Sequence, residues 1–320
     1  MKAQRDEFIE YLFAQAKNDK DIIFISVDMG APALDKWRAE LPEQFVAAGI
    51  SEQNAINFAA GLAAAGKKPF VYMMACWVAR CFEQIRYSCA MPGNPVTIIG
   101  NGVGLGYAPA GPAHEPTEDL CYMRGIDGLE IYSPSSSAQV RQIAKECVDF
   151  PALRYIRLER SVSSRLAEIS SAPTNLGIDI CKSYIGSVQR AITIISSGYM
   201  LDRCLDIAHE LNLEHGLSIQ VIDLWRIKPL DTQSLKAHIS NSEFIVTVEE
   251  QMRDGAFGSA ILEALSDELV LIPTLRLSLT TAFPFENGTR EELLNMYGLE
   301  KVSMKKRIID FISEMGFLNG

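Results

Sequence analysis

The sequence lacks the features that mark membrane, secreted and nucleic-acid-binding proteins. Its first residues open an amphipathic helix and contain no apolar core of a signal peptide. Charges or glycines interrupt every apolar stretch well before it reaches the length of a membrane span. The net charge is −10, from 40 acidic and 30 basic residues, and there is no long basic run, which argues against nucleic acid as a main partner. These absences predict a soluble, cytoplasmic protein.

Signals for disulfides and metal sites are also missing. The seven cysteines are scattered and include no CxxC pair, so they are expected to be reduced thiols. The four histidines show no metal-ligand spacing. Cys76, Cys81 and Cys89 lie near the site proposed below, but we interpret them as small buried apolar residues.

A dinucleotide-binding loop is excluded by the spacing of the glycines. Glycines fall at every second position from Gly100 to Gly106, so GxGxxG is never formed. Prolines at positions 109, 112 and 116 prevent a helix from starting promptly after them. The segment is therefore predicted to be an extended loop that lets a substrate approach the backbone.

What is present indicates two α/β domains. The chain has 320 residues, of which 48% are hydrophobic, enough for two cores. Short, nearly continuous apolar runs alternate with helical patterns, which is typical of buried parallel strands in a doubly wound sheet. We predict one domain over 1–160, a Ser-rich linker over 161–182 and a smaller α/β domain over 183–320. Ligands of such sheets bind outside the carboxyl ends of the strands.

The most informative segment is 49–62, which places a carboxylate at the mouth of an apolar helix. Glu52 is expected in the first turn, where free N–H groups and the helix dipole favour an acid. Small and apolar residues follow it, and Gly66 ends the helix. Spacing alone favours the simpler interpretation, an acid that only interacts with the helix dipole, because acids are common in first helical turns.

Four further segments occur in order along the chain: 26–29, 76–80, 104–116 and 156–160. Together with 49–62, they resemble the pyrimidine-binding domain of transketolase-like, thiamine-diphosphate-dependent enzymes. The resemblance continues through the carboxy-terminal domain of that family and so covers nearly the whole chain.

The resemblance implies roles for the residues around the cofactor. Glu52 would be the general acid/base toward the pyrimidine nitrogen, and Trp77 would stack on the aminopyrimidine. Asp28 and Met29 match an acid-plus-apolar pair near the cofactor. Arg80 would be a cofactor- or anion-binding residue and is similar to the arginine of the deoxyxylulose-phosphate synthase branch. Without the resemblance, Trp77 would be a core residue and Asp28 a helix cap.

The resemblance also implies residues that contact substrate. His114, in Gly-Pro-x-His, would orient or protonate the reacting sugar oxygens, and Arg160 would bind the substrate phosphate. Asn101 stands at a position of the same loop that is commonly acidic. Ala110 replaces an aspartate that is associated with the donor sugar, so the donor specificity is expected to differ.

The family holds the cofactor diphosphate through Mg²⁺ with a Gly-Asp-Gly motif, which does not occur here. We therefore expect a separate subunit, similar to the diphosphate-binding transketolase N-terminal half, to supply the metal ligands in an α2β2 assembly. In the second domain, Gly255 and Gly258 mark a turn that could cradle an anion at a helix start.

These observations predict the β-type subunit of a two-subunit transketolase that transfers a two-carbon ketol unit from a ketose, expected to be phosphorylated, to an aldehyde. Three alternatives stay open at this point. They are a β subunit of an E1-type 2-oxoacid decarboxylase, a deoxyxylulose-phosphate-synthase-like condensation, and a non-catalytic scaffold motivated by Asn101 and Ala110.

Overall fold

The computed structural model describes residues 3–160, 173–174, 176–187, 191–280, 283 and 285–316. These residues form two sheets with helices on both faces, as the alternating sequence pattern predicts. The Ser-rich stretch 161–172 lies outside the described residues.

The first sheet has seven strands in the order β10-β5-β6-β4-β3-β1-β2. Six of them come from the amino-terminal half and pair in parallel. Their bounds are β1 Ile22–Ser26, β2 Phe45–Ala47, β3 Lys68–Met74, β4 Thr97–Asn101, β5 Glu130–Tyr132 and β6 Arg154–Leu158. The seventh, β10 Arg226–Lys228, runs antiparallel to β5.

Helices cover both faces of this sheet because successive strand residues point to opposite sides. One face packs on a cluster that includes α1, α2 and α6, and the other packs on α3 and the helical segment 75–90. The bounds are α1 Gln4–Ala16, α2 Ala33–Glu40, α3 Glu52–Ala64, α4 Phe82–Gln84, α5 Asp119–Met123 and α6 Ser137–Asp149. A capping box at Ser136 and Gln139 starts α6.

The second sheet has five strands in the order β12-β11-β8-β9-β7, of which only β7 is antiparallel. The strands are β7 Ile178–Tyr184, β8 Ala191–Ser196, β9 Ser218–Leu224, β11 Phe244–Met252 and β12 Thr274–Leu279. The helices are α7 Leu201–His215, α8 Thr232–His238, α9 Phe257–Asp267, α10 Arg290–Met296 and α11 Lys301–Glu314.

The two sheets share a core. Residues of α8 and α9 belong to the same buried apolar cluster as α3 and β3, whereas α7, α10 and α11 build a separate cluster on the far face of the second sheet. The strand β10 extends the first sheet although it follows β9 in the chain. The two halves are therefore joined by a sheet edge as well as by side chains.

Three details differ from the sequence prediction. The sequence pattern gave no sign of α2, β2 or β10, because each is short and only partly apolar. The sequence pattern of 77–90 predicts one continuous helix, but the structure has a 3₁₀ segment over 75–81, one turn of α4, and a π segment over 85–90. The strand β7 begins at Ile178, inside the predicted linker.

Candidate active site

The predicted site residues gather at one edge of the first sheet. Parallel strands end at the same edge, which is where ligands of doubly wound sheets bind. Asn101 is the last residue of β4. After the ends of β1, β2, β3 and β6 come Asp28, Glu52, Trp77 and Arg160, respectively. The topology therefore brings together side chains that are up to 132 positions apart in the chain.

Glu52 is the first residue of α3 and is 7% exposed. The Nη1 of Arg80 donates to its Oε1 over 2.9 Å, while the Arg80 side chain itself remains 59% exposed. A second contact connects the same segments, because Gln53 Nε2 donates to the carbonyl of Arg80 over 3.0 Å. The small residues of α3 pack against β3 and the 75–90 segment, which fixes Glu52 at the edge of the sheet.

Trp77 lies in the 3₁₀ segment that follows β3 and is partly buried against the core. Its neighbour Cys76 is influenced electrostatically by Arg80 and Glu52, but burial is the dominant effect and raises the pKa of the Cys76 thiol to about 11. Burial likewise raises the pKa values of Cys81 and Cys89 to about 12. All three remain neutral thiols near pH 7, in agreement with their interpretation as packing residues.

Asp28 and Met29 line a cavity of about 260 Å³ beside Gly49, at the loop that leads into α3. Asp28 is exposed and has a φ of +44°, an uncommon conformation for a residue other than glycine. It does not cap a helix, since α2 begins only at Ala33. The carbonyl of Met29 accepts from Ser26 Oγ over 3.0 Å, which holds this turn against the end of β1.

Asn101 and Arg160 are connected through Tyr107, which the sequence interpretation missed. Asn101 is fully buried, and its Nδ2 donates to the Tyr107 hydroxyl over 2.8 Å. The Arg160 guanidinium lies over the Tyr107 ring, 4.7 Å from its centroid. Gly102 makes this possible: it has a φ of +75°, and a Cβ there would overlap the Tyr107 ring. Tyr107 thus orients the exposed cation.

His114 ends a short 3₁₀ turn over Pro112–His114, and its Nδ1 is buried with no hydrogen-bond partner in the described part of the chain. The next residue, Glu115, is 4% exposed, and both of its carboxylate oxygens are likewise unpaired there. Burial, and to a smaller extent Glu250 and Glu286, raise the pKa of Glu115 to about 7. The loop therefore presents a carboxyl group, that of Glu115, which can change protonation near neutral pH.

A buried ion pair connects β6 to the helix that follows this loop. Arg157 binds Asp119 through two bonds, Nε to Oδ2 over 2.7 Å and Nη2 to Oδ1 over 3.1 Å, and neither residue is more than 2% exposed. Tyr155 donates to Asp119 Oδ2 over 2.8 Å, and Arg157 Nη1 donates to Ser133 Oγ over 2.9 Å. The pair ties β6 to α5, the helix that follows His114.

A second buried cation joins the two halves of the chain beside Arg160. Arg290 Nη1 donates to Glu159 Oε2 over 2.9 Å, and Arg290 Nε donates to Glu250 Oε2 over 2.9 Å. Its guanidinium also stacks on the Tyr199 ring. Gly104 lies against Glu250, where a Cβ would overlap the carboxylate. The glycine-rich loop thus packs directly on the second domain.

The anion cradle expected at Gly255 and Gly258 is wrong, because the chain fills it with its own carboxylate. Glu249 accepts from the backbone N–H of Phe257 over 2.9 Å and of Gly258 over 2.8 Å, at the start of α9. Burial raises the pKa of Glu249 to about 7. The N–H groups at this helix start are therefore occupied by an internal cap.

Metal clusters and membrane-spanning helices are both absent from the described residues. These residues contain no group of three or more His, Cys, Asp or Glu side chains placed to hold a metal ion. No helix among them is both long enough and apolar enough to cross a membrane.

Comparison with protein families identifies both halves. Residues 2–164 match the family model described as transketolase, pyrimidine binding domain, and residues 183–304 match transketolase, C-terminal domain. A solved structure described as a split gene transketolase, inactive beta4 tetramer, is 29% identical and has a TM-score of 0.83, with 97% of this chain and 98% of that one covered.

Two curated relatives are similar along most of the chain. One is a subunit of an apulose-4-phosphate transketolase from Phocaeicola vulgatus, 32% identical over 98% of this chain and 99% of the relative. The other is a 1-deoxy-D-xylulose-5-phosphate synthase from a Synechococcus species, 33% identical over 92% of this chain but only 45% of the relative. The chain belongs to the transketolase family, as a pyrimidine-binding domain followed by a transketolase C-terminal domain.

Proposed function

We propose that the chain is the pyrimidine-binding subunit of a two-subunit transketolase, which transfers a two-carbon ketol unit from a phosphorylated ketose to an aldehyde. The proposal depends on one observation above all, the buried carboxylate of Glu52 at the first residue of α3, beside Trp77 on the neighbouring segment. It is supported by the similarity along almost the full length to a relative that is itself described as one subunit of a transketolase.

The residues at this edge fit the pyrimidine half of thiamine diphosphate. A ring nitrogen that exchanges a proton needs a carboxyl group shielded from water, which Glu52 supplies. A flat ring needs an apolar surface, for which the partly buried indole of Trp77 is suited. When bound, thiamine diphosphate would supply the carbon nucleophile that attacks the ketose carbonyl.

The chain does not fit the diphosphate half. Mg²⁺ prefers several oxygen ligands at one point, and the described residues contain no such group of side chains. The sequence also has no Gly-Asp-Gly. We therefore place the metal and the diphosphate on a partner subunit, in an α2β2 assembly. The description of a similar structure as an inactive β4 tetramer agrees with a β subunit that needs its partner.

Three residues of this chain would have separate roles in the reaction. Glu52 would hold and exchange the proton at the pyrimidine nitrogen. His114, with its unpaired Nδ1, would donate to or accept from a hydroxyl of the sugar. Arg160, oriented by Tyr107, would bind the phosphate of the substrate. The carbonyl end of the substrate would then point toward the edge of the sheet.

A deoxyxylulose-phosphate-synthase-like condensation is the second candidate function. It is favoured by Arg80 beside Glu52 and by the similarity to the synthase from Synechococcus. This chain spans about half of that relative's length, so a partner would again be required. The two functions are distinguished by the donor: a ketose phosphate for transketolase, a 2-oxoacid for the condensation.

The test is a calorimetric titration of thiamine diphosphate and Mg²⁺ into this chain, alone and together with a candidate partner that carries Gly-Asp-Gly. The proposal expects no binding to the chain alone, tight binding to the pair, and ketol transfer that Glu52→Gln lowers by about 10²–10⁴-fold. Tight binding and turnover by the isolated chain would contradict the divided site. Failure to bind with every candidate partner would favour the non-catalytic scaffold.

A further inference from the structure

A cavity of about 750 Å³ opens in the second domain, between α10, α11 and the turn that precedes α9. Four cationic side chains line it, and they come from three separate parts of the chain: Arg253, Arg276, Lys306 and Arg307. One carboxylate, Asp310, lines the same cavity. This concentration of positive charge occurs in a chain whose net charge is −10.

The positive charge of the cavity is not neutralised by ion pairs. In the portion of the chain that the structure describes, none of the four cations has a carboxylate oxygen within 4.0 Å. Burial, and to a smaller extent the like charge of Arg253, lower the pKa of Arg307. Glu249 interacts electrostatically with Arg276, and Asp310 lines the cavity, so the four cations outnumber the nearby carboxylates. Such an excess of positive charge favours binding of an anion.

The central arginine is fixed in place. Arg276 Nη2 donates to the carbonyl of Arg253 and to Ser259 Oγ, the latter over 3.0 Å. The carbonyl of Arg276 in turn accepts from Arg307 Nη2 over 3.4 Å. A ligand that binds there loses little side-chain entropy, because the guanidinium is already oriented by the protein.

We propose that this cavity binds a small phosphorylated metabolite, at a site separate from the candidate active site. Its volume lies within the range of about 300–1,000 Å³ that is typical of small-molecule pockets. Guanidinium groups bind phosphate through paired hydrogen bonds, and the hydroxyls of Ser278 and Thr280 on the same walls can donate to its remaining oxygens.

The position of the cavity indicates a ligand that regulates and does not react. None of the proposed catalytic residues lines it. Its wall includes Tyr297, whose hydroxyl donates to Glu286. Asn287, the residue after Glu286, lies against Gly111 in the loop that carries His114. An occupant of the cavity would therefore contact the same part of the second domain that packs on the substrate loop.

The test uses inorganic phosphate as the probe and the full chain as the sample. The melting temperature is measured while phosphate replaces chloride at constant ionic strength. Phosphate also stabilises proteins by exclusion from their surface, so the comparison between variants is decisive. The variant is Arg253→Gln with Lys306→Gln, two exposed cations without ion pairs, and the charge-matched control is Lys20→Gln with Lys36→Gln.

We expect the apparent affinity for phosphate to fall by about tenfold or more in the cavity variant, because each lost cation removes a charge-assisted hydrogen bond. The control variant should respond like the wild type, and Arg160→Gln, which removes the residue proposed to bind the substrate phosphate, is measured beside it. Lys306→Gln alone should show an intermediate loss, and serves if the double variant does not fold. An equal response in all variants, or a loss only in Arg160→Gln, would overturn the proposal.

Discussion

The guanidinium of Arg80 closes over the carboxylate of Glu52, with 2.9 Å between Nη1 and Oε1. The two partners differ sharply in their surroundings, since Glu52 is buried and the Arg80 side chain is 59% exposed. Arg80 lies on a short 3₁₀ segment and reaches Glu52 from the solvent side. Arg80 therefore covers the carboxyl group that the proposed function assigns to proton exchange. Because the Arg80 side chain is exposed, it can move away from Glu52 without disturbing the core.

We predict that Glu52→Gln lowers kcat of the assembled enzyme by about 10²–10⁴-fold, the usual contribution of a general acid or base. Its matched control is Arg80→Gln, which removes the same ion pair from the other side but keeps the acid. Both variants should lose less than about 1 kcal/mol of unfolding free energy, because one partner is exposed. Steady-state kinetics and urea unfolding measure the two effects. Equal losses of kcat in both variants would show that the ion pair matters, and not the acid.

The stacking of Arg160 on Tyr107 predicts how phosphate recognition responds to mutation. Arg160→Gln should raise KM for a phosphorylated donor by about 10–100-fold with little change in kcat, because the lost contact is made equally in the ground and transition states. Tyr107→Leu should raise KM by about two- to fivefold, since an exposed cation–π contact contributes about 0.5–1 kcal/mol. In both variants, KM for the corresponding donor without phosphate should equal that of the wild type. Tyr107→Phe keeps the ring and separates stacking from the bond to Asn101.

Much of the fold could be predicted because it follows from periodicity. The apolar run 191–196 predicts a strand, and β8 has these bounds. The helix α3 begins at the predicted Glu52, because a clear helix start is a local signal. The strand β10 could not be found in this way. It has three residues, two of them charged, and exists because it pairs with β5, a partner that no local pattern reveals.

The resemblance supplied the candidate site residues, but not the contacts between them. Nothing in the sequence indicated that Tyr107 connects Asn101 to Arg160, because that contact depends on the left-handed backbone of Gly102. A signal for the buried pair was present, since Arg157 follows the apolar pair 155–156 in a strand predicted to be buried, and a buried arginine needs a counter-ion. Only the structure identifies that counter-ion as Asp119.

The buried pair makes a prediction about stability. Asp119→Asn should reduce the unfolding free energy by about 3–5 kcal/mol, because it leaves the Arg157 charge buried without a full counter-charge. Tyr155→Phe removes only one neutral donor to the same carboxylate and should cost about 1 kcal/mol. Lys145→Gln, which breaks an exposed pair with Asp149, should leave the urea midpoint unchanged and serves as the control. A loss in Asp119→Asn no larger than that in Tyr155→Phe would contradict the structural role of the pair.

Glu115 predicts a pH dependence of stability. Its folded pKa of about 7 lies above the ordinary value of about 4.5, mainly because the carboxyl group is buried and secondarily because Glu250 and Glu286 are near. The folded chain therefore holds a proton that the unfolded chain releases, and the group loses stabilisation as the pH rises from about 4.5 to about 7. Glu115→Gln removes this penalty, so the variant should equal the wild type near pH 5 and exceed it by about 2 kcal/mol at pH 8.

Urea unfolding of Glu115→Gln and the wild type at pH 5 and pH 8 measures that difference. Other buried acids, Asp223 and Glu249, have pKa values raised to about 7, but they titrate in both proteins and cancel in the comparison. Glu43→Gln, at an exposed carboxylate, is the control and should change stability at neither pH. A gain in Glu115→Gln that is the same at both pH values would mean that better packing, and not the release of a proton, stabilises the variant.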